Sequence, residues 1–156
     1  MNRNLVEQYA AGGPMVAQAI AGLTQADLLA TPVPGTWSIQ QIVMHLYDSD
    51  LIASDRMKRI IAEDNPPLVG YNETAFSQKL FYEALDPCVA ADVFDKNRQL
   101  TAVILRKLPD STFLRYGTHS EVGKVPLAEM VEKYVHHLEH HLKFLTHKRQ
   151  LLGKPL

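Results

Sequence analysis

Apolar side chains recur along this chain at spacings of three and four, in long runs, which is the rhythm of helices with one buried face. The spacing predicts a first helix from about Asn4 to Gly22, with Leu5, Tyr9, Val16 and Ile20 on its apolar positions. Gly12-Gly13-Pro14 weakens its middle, so a kink or a late start is expected there. Thr24-Gln25-Ala26-Asp27 resembles a capping box for a short turn, and the proline-bearing stretch Thr31 to Gly35 reads as a connector. The second helix has the clearest start. Ser38 is placed to cap it, Gln41 completes a capping box, and Trp37 and Ile42 are placed as a hydrophobic staple. It runs to about Glu63 on Ile39, Ile42, Val43, Leu46, Ile60 and Ile61, and Asp64-Asn65-Pro66-Pro67 stops it.

Residues 65–71 read as loop and Asn72 to Leu85 as a shorter helix. Asp86-Pro87 is a strong start for a third long helix, with Asp as N-cap and Pro in the first turn. Val89, Val93, Leu100, Val103, Ile104 and Leu108 are its apolar positions. A connection over 110–125 carries Gly117 and Gly123, with Phe113 to Tyr116 briefly extended. Pro126 opens the last helix, which runs to about Leu152. No repeat, low-complexity segment or sustained strand alternation is visible. The pattern predicts one all-α domain over residues 1–156: a four-helix bundle with short additional helical turns.

Composition narrows the function. Of 156 residues, 46% are hydrophobic and 21% charged, with a net charge of -1 and no basic stripe, so nucleic acid is not expected as a partner. The N-terminal run Met1 to Glu7 lacks the apolar core of a signal peptide, and no stretch approaches the ~20 apolar residues of a membrane span. The lone Cys88 forms no internal disulfide and reads as a small apolar filler. A cytoplasmic protein with no membrane contact is expected.

Four of the seven histidines lie in the last helix, as the pairs His136/His140 and His137/His141. Residues four apart stack on one helix face, and two stacked imidazoles can grip a divalent ion. Phase separates the pairs. Met130, Tyr134, His137, His141 and Leu145 trace a mostly apolar stripe, whereas Lys133, His136, His140, Lys143 and His147 trace a polar one. His137 and His141 are therefore expected to face inward, either as hydrogen-bonded core residues or as metal ligands. His45, on the buried side of the second helix, is the natural third ligand. Three neutral imidazoles suit zinc, nickel or a similar ion and leave a position open, which is the arrangement of a catalytic site. Such an ion could activate water or a thiol. Asp48, one turn beyond His45, is placed either to orient a ligand or accept a proton, or to sit solvated at the surface. Asp50 is expected to face solvent. Arg56 is a candidate for binding an anionic substrate or for a surface ion pair, and His119 for reaching over the site or for an ordinary loop residue. Tyr47, Tyr71 and Tyr134 read as packing residues.

Three stretches carry a family resemblance. Pro34-Gly35-Thr36-Trp37-Ser38-Ile39-Gln40-Gln41-Ile42-Val43-Met44-His45-Leu46-Tyr47-Asp48-Ser49 resembles the opening of helix two in the DinB-like superfamily. Gly117-Thr118-His119-Ser120-Glu121-Val122-Gly123-Lys124-Val125-Pro126-Leu127, followed by His137 and His141-Leu142, resembles the family's last loop and helix. Asn65 to Tyr71 also fits, although Pro126 stands where relatives often have a hydroxyl residue. The resemblance implies a four-helix bundle of DinB-like type, often dimeric, with a metal held by His45, His137 and His141. It also implies one of several activities: transfer of a low-molecular-weight thiol to a small electrophile, thiol-dependent isomerisation, or metal-dependent hydrolysis. A non-catalytic bundle, with metal or histidines serving only stability, is the alternative of another class.

Overall fold

The structure, a computed structural model, describes residues 3–156. Met1 and Asn2, the start of the run read for a leader, lie outside them. The elements in chain order are helices α1 (Asn4–Ala11), α2 (Met15–Ile20), α3 (Gln25–Leu29) and α4 (Ile39–Ala62), strand β1 (Pro67–Leu68), helices α5 (Glu73–Lys79) and α6 (Pro87–Lys107), strands β2 (Tyr116–His119) and β3 (Gly123–Pro126), and helix α7 (Leu127–Leu151). Short 3-10 turns cover Tyr82–Ala84 and Asp110–Leu114. The bundle consists of the broken first helix (α1 and α2) with α4, α6 and α7; α4 packs on both α6 and α7, and α1 on the same two. Among the described residues, no helix is long and apolar enough to cross a membrane.

Local chemistry explains the element ends. Ser38 accepts from the Gln41 amide while the Gln41 side chain accepts from the Ser38 amide, so the capping box that starts α4 is complete. Thr24 and Asp27 do the same for α3. Asp86 accepts from the Cys88 and Val89 amides and starts α6. The first helix is interrupted at Gly12-Gly13-Pro14, as its sequence predicts, and the two segments stay in the bundle.

Four expectations are corrected. The apolar positions assigned to the third long helix mostly face out. Val89, Val93, Leu100, Val103 and Ile104 are exposed, Leu100 at 70%, while Ala90, Ala91, Phe94, Arg98, Thr101, Ala102 and Leu105 are buried. Small residues let α6 approach its neighbours closely, and the inward arginine is paired. Second, Phe113 and Leu114 lie in a 3-10 turn; the backbone is extended from Arg115, and β2 begins at Tyr116, where it finds partners. There β1 pairs parallel and β3 antiparallel to β2, giving a small sheet beside the bundle. Third, Asp50 is 1% exposed rather than solvated. Fourth, Cys88 is exposed in the first turn of α6, not a core filler.

The core has two apolar halves. One gathers Val16, Ile39, Ile42, Leu46, Phe94 and Leu138 among others. The other gathers Val6, Met57, Ile60, Phe113, Leu127 and Val131 among others. A polar layer runs between them, formed by His45, Ser49 and Asp50 on α4, Arg98 on α6, and Tyr134 and His137 on α7. At its centre Arg98 donates through Nε to Asp50 (2.9 Å) and through its terminal nitrogens to the carbonyls of Tyr9 (3.3 Å) and Tyr134 (2.8 Å). The guanidinium also lies against the rings of Tyr9 and Phe94. Gly12 makes room for it: a Cβ there would sit 2.6 Å from Arg98 Nη1. The weak spot of the first helix is thus where the arginine crosses.

Candidate metal centre

The capping box fixes where α4 begins, and His45 follows two turns later on its buried face. Helix α7 brings His137 and His141 one turn apart toward the same point. One ring nitrogen from each of the three lies within 4.8 Å of the others. His45 Nε2 and His137 Nε2 are 3.1 Å apart. Ring centroids are separated by 5.1 Å (His45–His137), 4.7 Å (His45–His141) and 4.6 Å (His137–His141).

These distances fit a shared ion. Imidazoles at about 2.0–2.1 Å from a tetrahedral ion place their nitrogens about 3.3 Å apart. The electrostatics fit as well. Burial, with the neighbouring imidazoles, lowers His137 to about 3 and His141 to about 4. His45 is also lowered by burial, with Glu73 and Asp48 pulling the other way. All three rings are thus neutral near pH 7, each with a lone pair free to coordinate. The outer histidines stay outside: His136 is exposed beside Glu132 and Glu139, and His140 is exposed and meets the Phe144 ring edge-on.

Two carboxylates stand near His45. Glu73 Oε2 is 3.6 Å from His45 Nδ1, the ring nitrogen that faces away from His137. At that distance the carboxylate acts through its charge, which favours a ring proton on Nδ1 and leaves Nε2 to coordinate. Asp48 also faces His45 electrostatically, but its carboxylate accepts from Tyr82 at 2.5 Å and lines neither adjoining cavity. Tyr82 is in turn held by Gln40, which donates to the carbonyls of Tyr82 and Leu85.

Two cavities of opposite character adjoin the triad. The first, about 340 Å³, is walled by Val33, Trp37, Ile42 and Phe144, with His141 on its triad side. Lys148 is its one ammonium and donates to Thr36 Oγ1 at 2.6 Å. Trp37 also lies 5.0 Å from the His45 ring. The second cavity, about 360 Å³, has His137 on its triad side and is polar, with Arg56, His119, Lys133, Tyr134 and Glu73 in its walls. Of the other sequence candidates, Arg56 and His119 therefore meet in one cavity, and both are buried. Arg56 donates to the Val69 carbonyl, and His119 Nδ1 accepts from the Glu121 amide. Burial and the Arg56 charge lower His119 below the usual imidazole value.

Sequence reasoning missed Glu73, Lys133 and the cavity role of Tyr71 and Tyr134, whose hydroxyls group with Ser49. Only Glu73 left a signal. Asn72 caps α5 by accepting from the Ala75 amide, which fixes the start of that helix and places Glu73 in its first turn.

Fold and site together define a helical bundle that carries three inward histidines between an apolar and a polar cavity. The chain belongs to the DinB superfamily, whose family model matches residues 8–145. YfiT of Bacillus subtilis (strain 168), which carries the provisional name of a metal-dependent hydrolase, is 27% identical over 137 residues, covering 87% of this chain and 77% of YfiT. A relative from Oceanobacillus iheyensis with the same provisional name is 28% identical over 132 residues, 85% of this chain and 76% of the relative. The solved YfiT structure, described as a four-helix bundle of unusual topology, superposes with a TM-score of 0.90 at 24% identity, over 96% of this chain and 86% of that one. A mycothiol-dependent maleylpyruvate isomerase shares the fold more distantly, with a TM-score of 0.71 at 12% identity, over 91% of this chain and 59% of that one.

Proposed function

We propose that the protein is a cytoplasmic metal-dependent enzyme that transfers a small thiol to a small electrophile. In this reading His45, His137 and His141 hold one zinc or nickel ion. The observation that carries it is the triad's position between two unlike cavities. A hydrolase needs room for one organic substrate and water, whereas a transferase needs room for two reactants. The apolar cavity suits the electrophile and the polar cavity suits the thiol.

When bound, the ion supplies a Lewis acid that favours the ionised thiol. Glu73, in the wall of the polar cavity, favours the ring proton on His45 Nδ1 and can take up the thiol proton. The Ser49, Tyr71 and Tyr134 hydroxyls position the thiol's polar end. Trp37, Ile42 and Phe144 bind the electrophile and exclude water. A sulfur–carbon bond then forms, the bond from carbon to the leaving group breaks, and the leaving group departs with that electron pair. The proton held at Glu73 is returned to solvent.

Hydrolysis is the second reading, favoured by the provisional names of the relatives. A homodimer belongs to the same proposal, because Val89, Val93, Leu100 and Val103 line one exposed face of α6, broken by Lys96. The first test is elemental analysis of untagged protein beside His45→Ala and His137→Ala. About one equivalent of metal in the wild type, lost in both variants, is expected. Loaded protein is then assayed with 2-mercaptoethanol, cysteine or 6-mercaptohexanoate and 1-chloro-2,4-dinitrobenzene. Thioether and chloride released in equal amounts, above the His45→Ala background, support transfer. Ester cleavage without any thiol would favour hydrolysis instead.

A further inference from the structure

The polar cavity contains a buried charge for which the reaction so far has no use. Arg56 projects from the inner face of α4 and is 5% exposed. One terminal nitrogen donates to the Val69 carbonyl, yet Nε is buried without a partner. Among the described residues no carboxylate comes within ion-pair distance of this guanidinium; it lies instead beside the Tyr134 hydroxyl. Arg98 makes the contrast. It is equally buried, but Asp50 meets its Nε at 2.9 Å. A buried charge ordinarily has its counter-charge beside it, because leaving water is costly. Arg56 lacks one, and it faces a cavity.

The surrounding groups favour an anion. His119 Nδ1 accepts from the Glu121 amide, so its ring proton sits on Nε2, which is then a donor. Lys133 adds an ammonium to the same cavity. Of the cavity's two acids, Glu73 faces His45, and Glu121, beside Gly70, acts on the His119 ring rather than on Arg56. Both are exposed, whereas Arg56 and His119 are buried, so the closed end of the cavity is cationic. A guanidinium edge made of Nε–H and one terminal N–H matches the two oxygens of a carboxylate. That edge includes the nitrogen left unpartnered here.

We propose that Arg56 anchors a carboxylate subsite, with His119 and Lys133 as supporting donors, so that the reactant taken in the polar cavity is an acid. Its role as the thiol partner rests on the transfer reading above; carboxylate binding itself does not. Reach sets its length. His45 and Arg56 are eleven positions apart on α4, a rise of about 16 Å. The acid group therefore sits several bonds from the sulfur, farther than in cysteine.

The test compares 6-mercaptohexanoate with its neutral amide, which matches it in length and shape. Binding is followed by titration calorimetry and by the Arg56 Nε–H resonance, in zinc-loaded and metal-stripped protein. The acid is expected to bind at least tenfold more tightly than the amide in both forms and to shift that resonance. Arg56→Gln should abolish the preference while leaving amide affinity within twofold, and Arg56→Lys should keep part of it. Equal affinities in the wild type, a preference that survives Arg56→Gln, or an unmoved Nε–H resonance would overturn the proposal. The wild-type comparison decides even if Arg56→Gln does not fold. Acid preference without any thioether formation would retain this subsite and discard the transfer reading. Thioether formation with no acid preference would do the reverse.

Discussion

At the residue scale, neighbouring charges in this protein are set apart by whether they are paired. Arg98 and Asp50 are both 1% exposed and satisfy each other, with Tyr9, Asn97 and two carbonyls completing the network. Removing one partner strands the other, so Arg98→Ala is expected to cost about 3–5 kcal/mol. The double variant Arg98→Leu with Asp50→Leu should recover most of that loss in denaturant unfolding. Recovery of nothing would mean that the carbonyl bonds, not the ion pair, dominate. The histidines make a second case. Burial lowers His137 to about 3 and His141 to about 4, against ~6.5 in an unfolded chain. As pH falls below 6.5 the unfolded chain takes up protons that the folded one refuses. Metal-free protein should therefore hold its full stability above about pH 6.5 and lose it progressively down to about pH 3. The loss approaches 1.4 kcal/mol per pH unit for each histidine. Denaturant melts at stepped pH, beside a His137→Ala, His141→Ala double variant, check this: the variant's profile should be shallower over that range.

At the element scale, starts and stops were legible because they are local. Ser38 with Gln41, Thr24 with Asp27, and Asp86 before Pro87 each cap within four residues, and each does so in the fold. The inward phase of His137 and His141 was legible because an unbroken helix carries it. What failed needed information from elsewhere in the chain. The buried face of α6 is mostly alanines and polar residues, with only Phe94 and Leu105 as large apolar side chains, a weaker apolar rhythm than the valines and Leu100 outside. Arg98 reads as inward only once Asp50 and the gap at Gly12 are known. The short sheet was hidden because β1 and β2 are separated by the whole of α5 and α6. That sheet positions His119 at the end of β2, and it depends on Gly117. A Cβ at that position would meet Leu68 at 2.8 Å and the Pro66 carbonyl at 2.9 Å. Gly117→Ala is expected to destabilise the fold by about 1–3 kcal/mol. In amide exchange the loss should concentrate in residues 116–126 and leave α4 protected; uniform loss over the bundle would contradict a local role for the sheet.

At the scale of the whole molecule, the bundle and the proposed metal centre are separable. The polar layer is flanked by an apolar half on each side, and each half draws on the first helix, α4, α6 and α7. The four helices are therefore joined by apolar packing above and below the three histidines, as well as by Arg98 across the layer. A fold of this kind needs no ion to hold it, unlike small domains whose folding energy is largely metal binding. The histidines themselves are neutral, with His45 buried and His137 and His141 half-buried, so losing the ion leaves no uncompensated charge. Chelation is accordingly expected to leave helical circular dichroism at 25 °C within a few per cent of its starting value. It should still lower the midpoint of thermal unfolding, because an ion that binds only the folded state stabilises it by about 2.7 kcal/mol at a hundredfold excess over its dissociation constant. Re-adding zinc should restore the midpoint in the wild type and not in His45→Ala. If the chelated protein instead unfolds at 25 °C, the ion is a structural clamp, and the two cavities beside it lose their claim to be an active site.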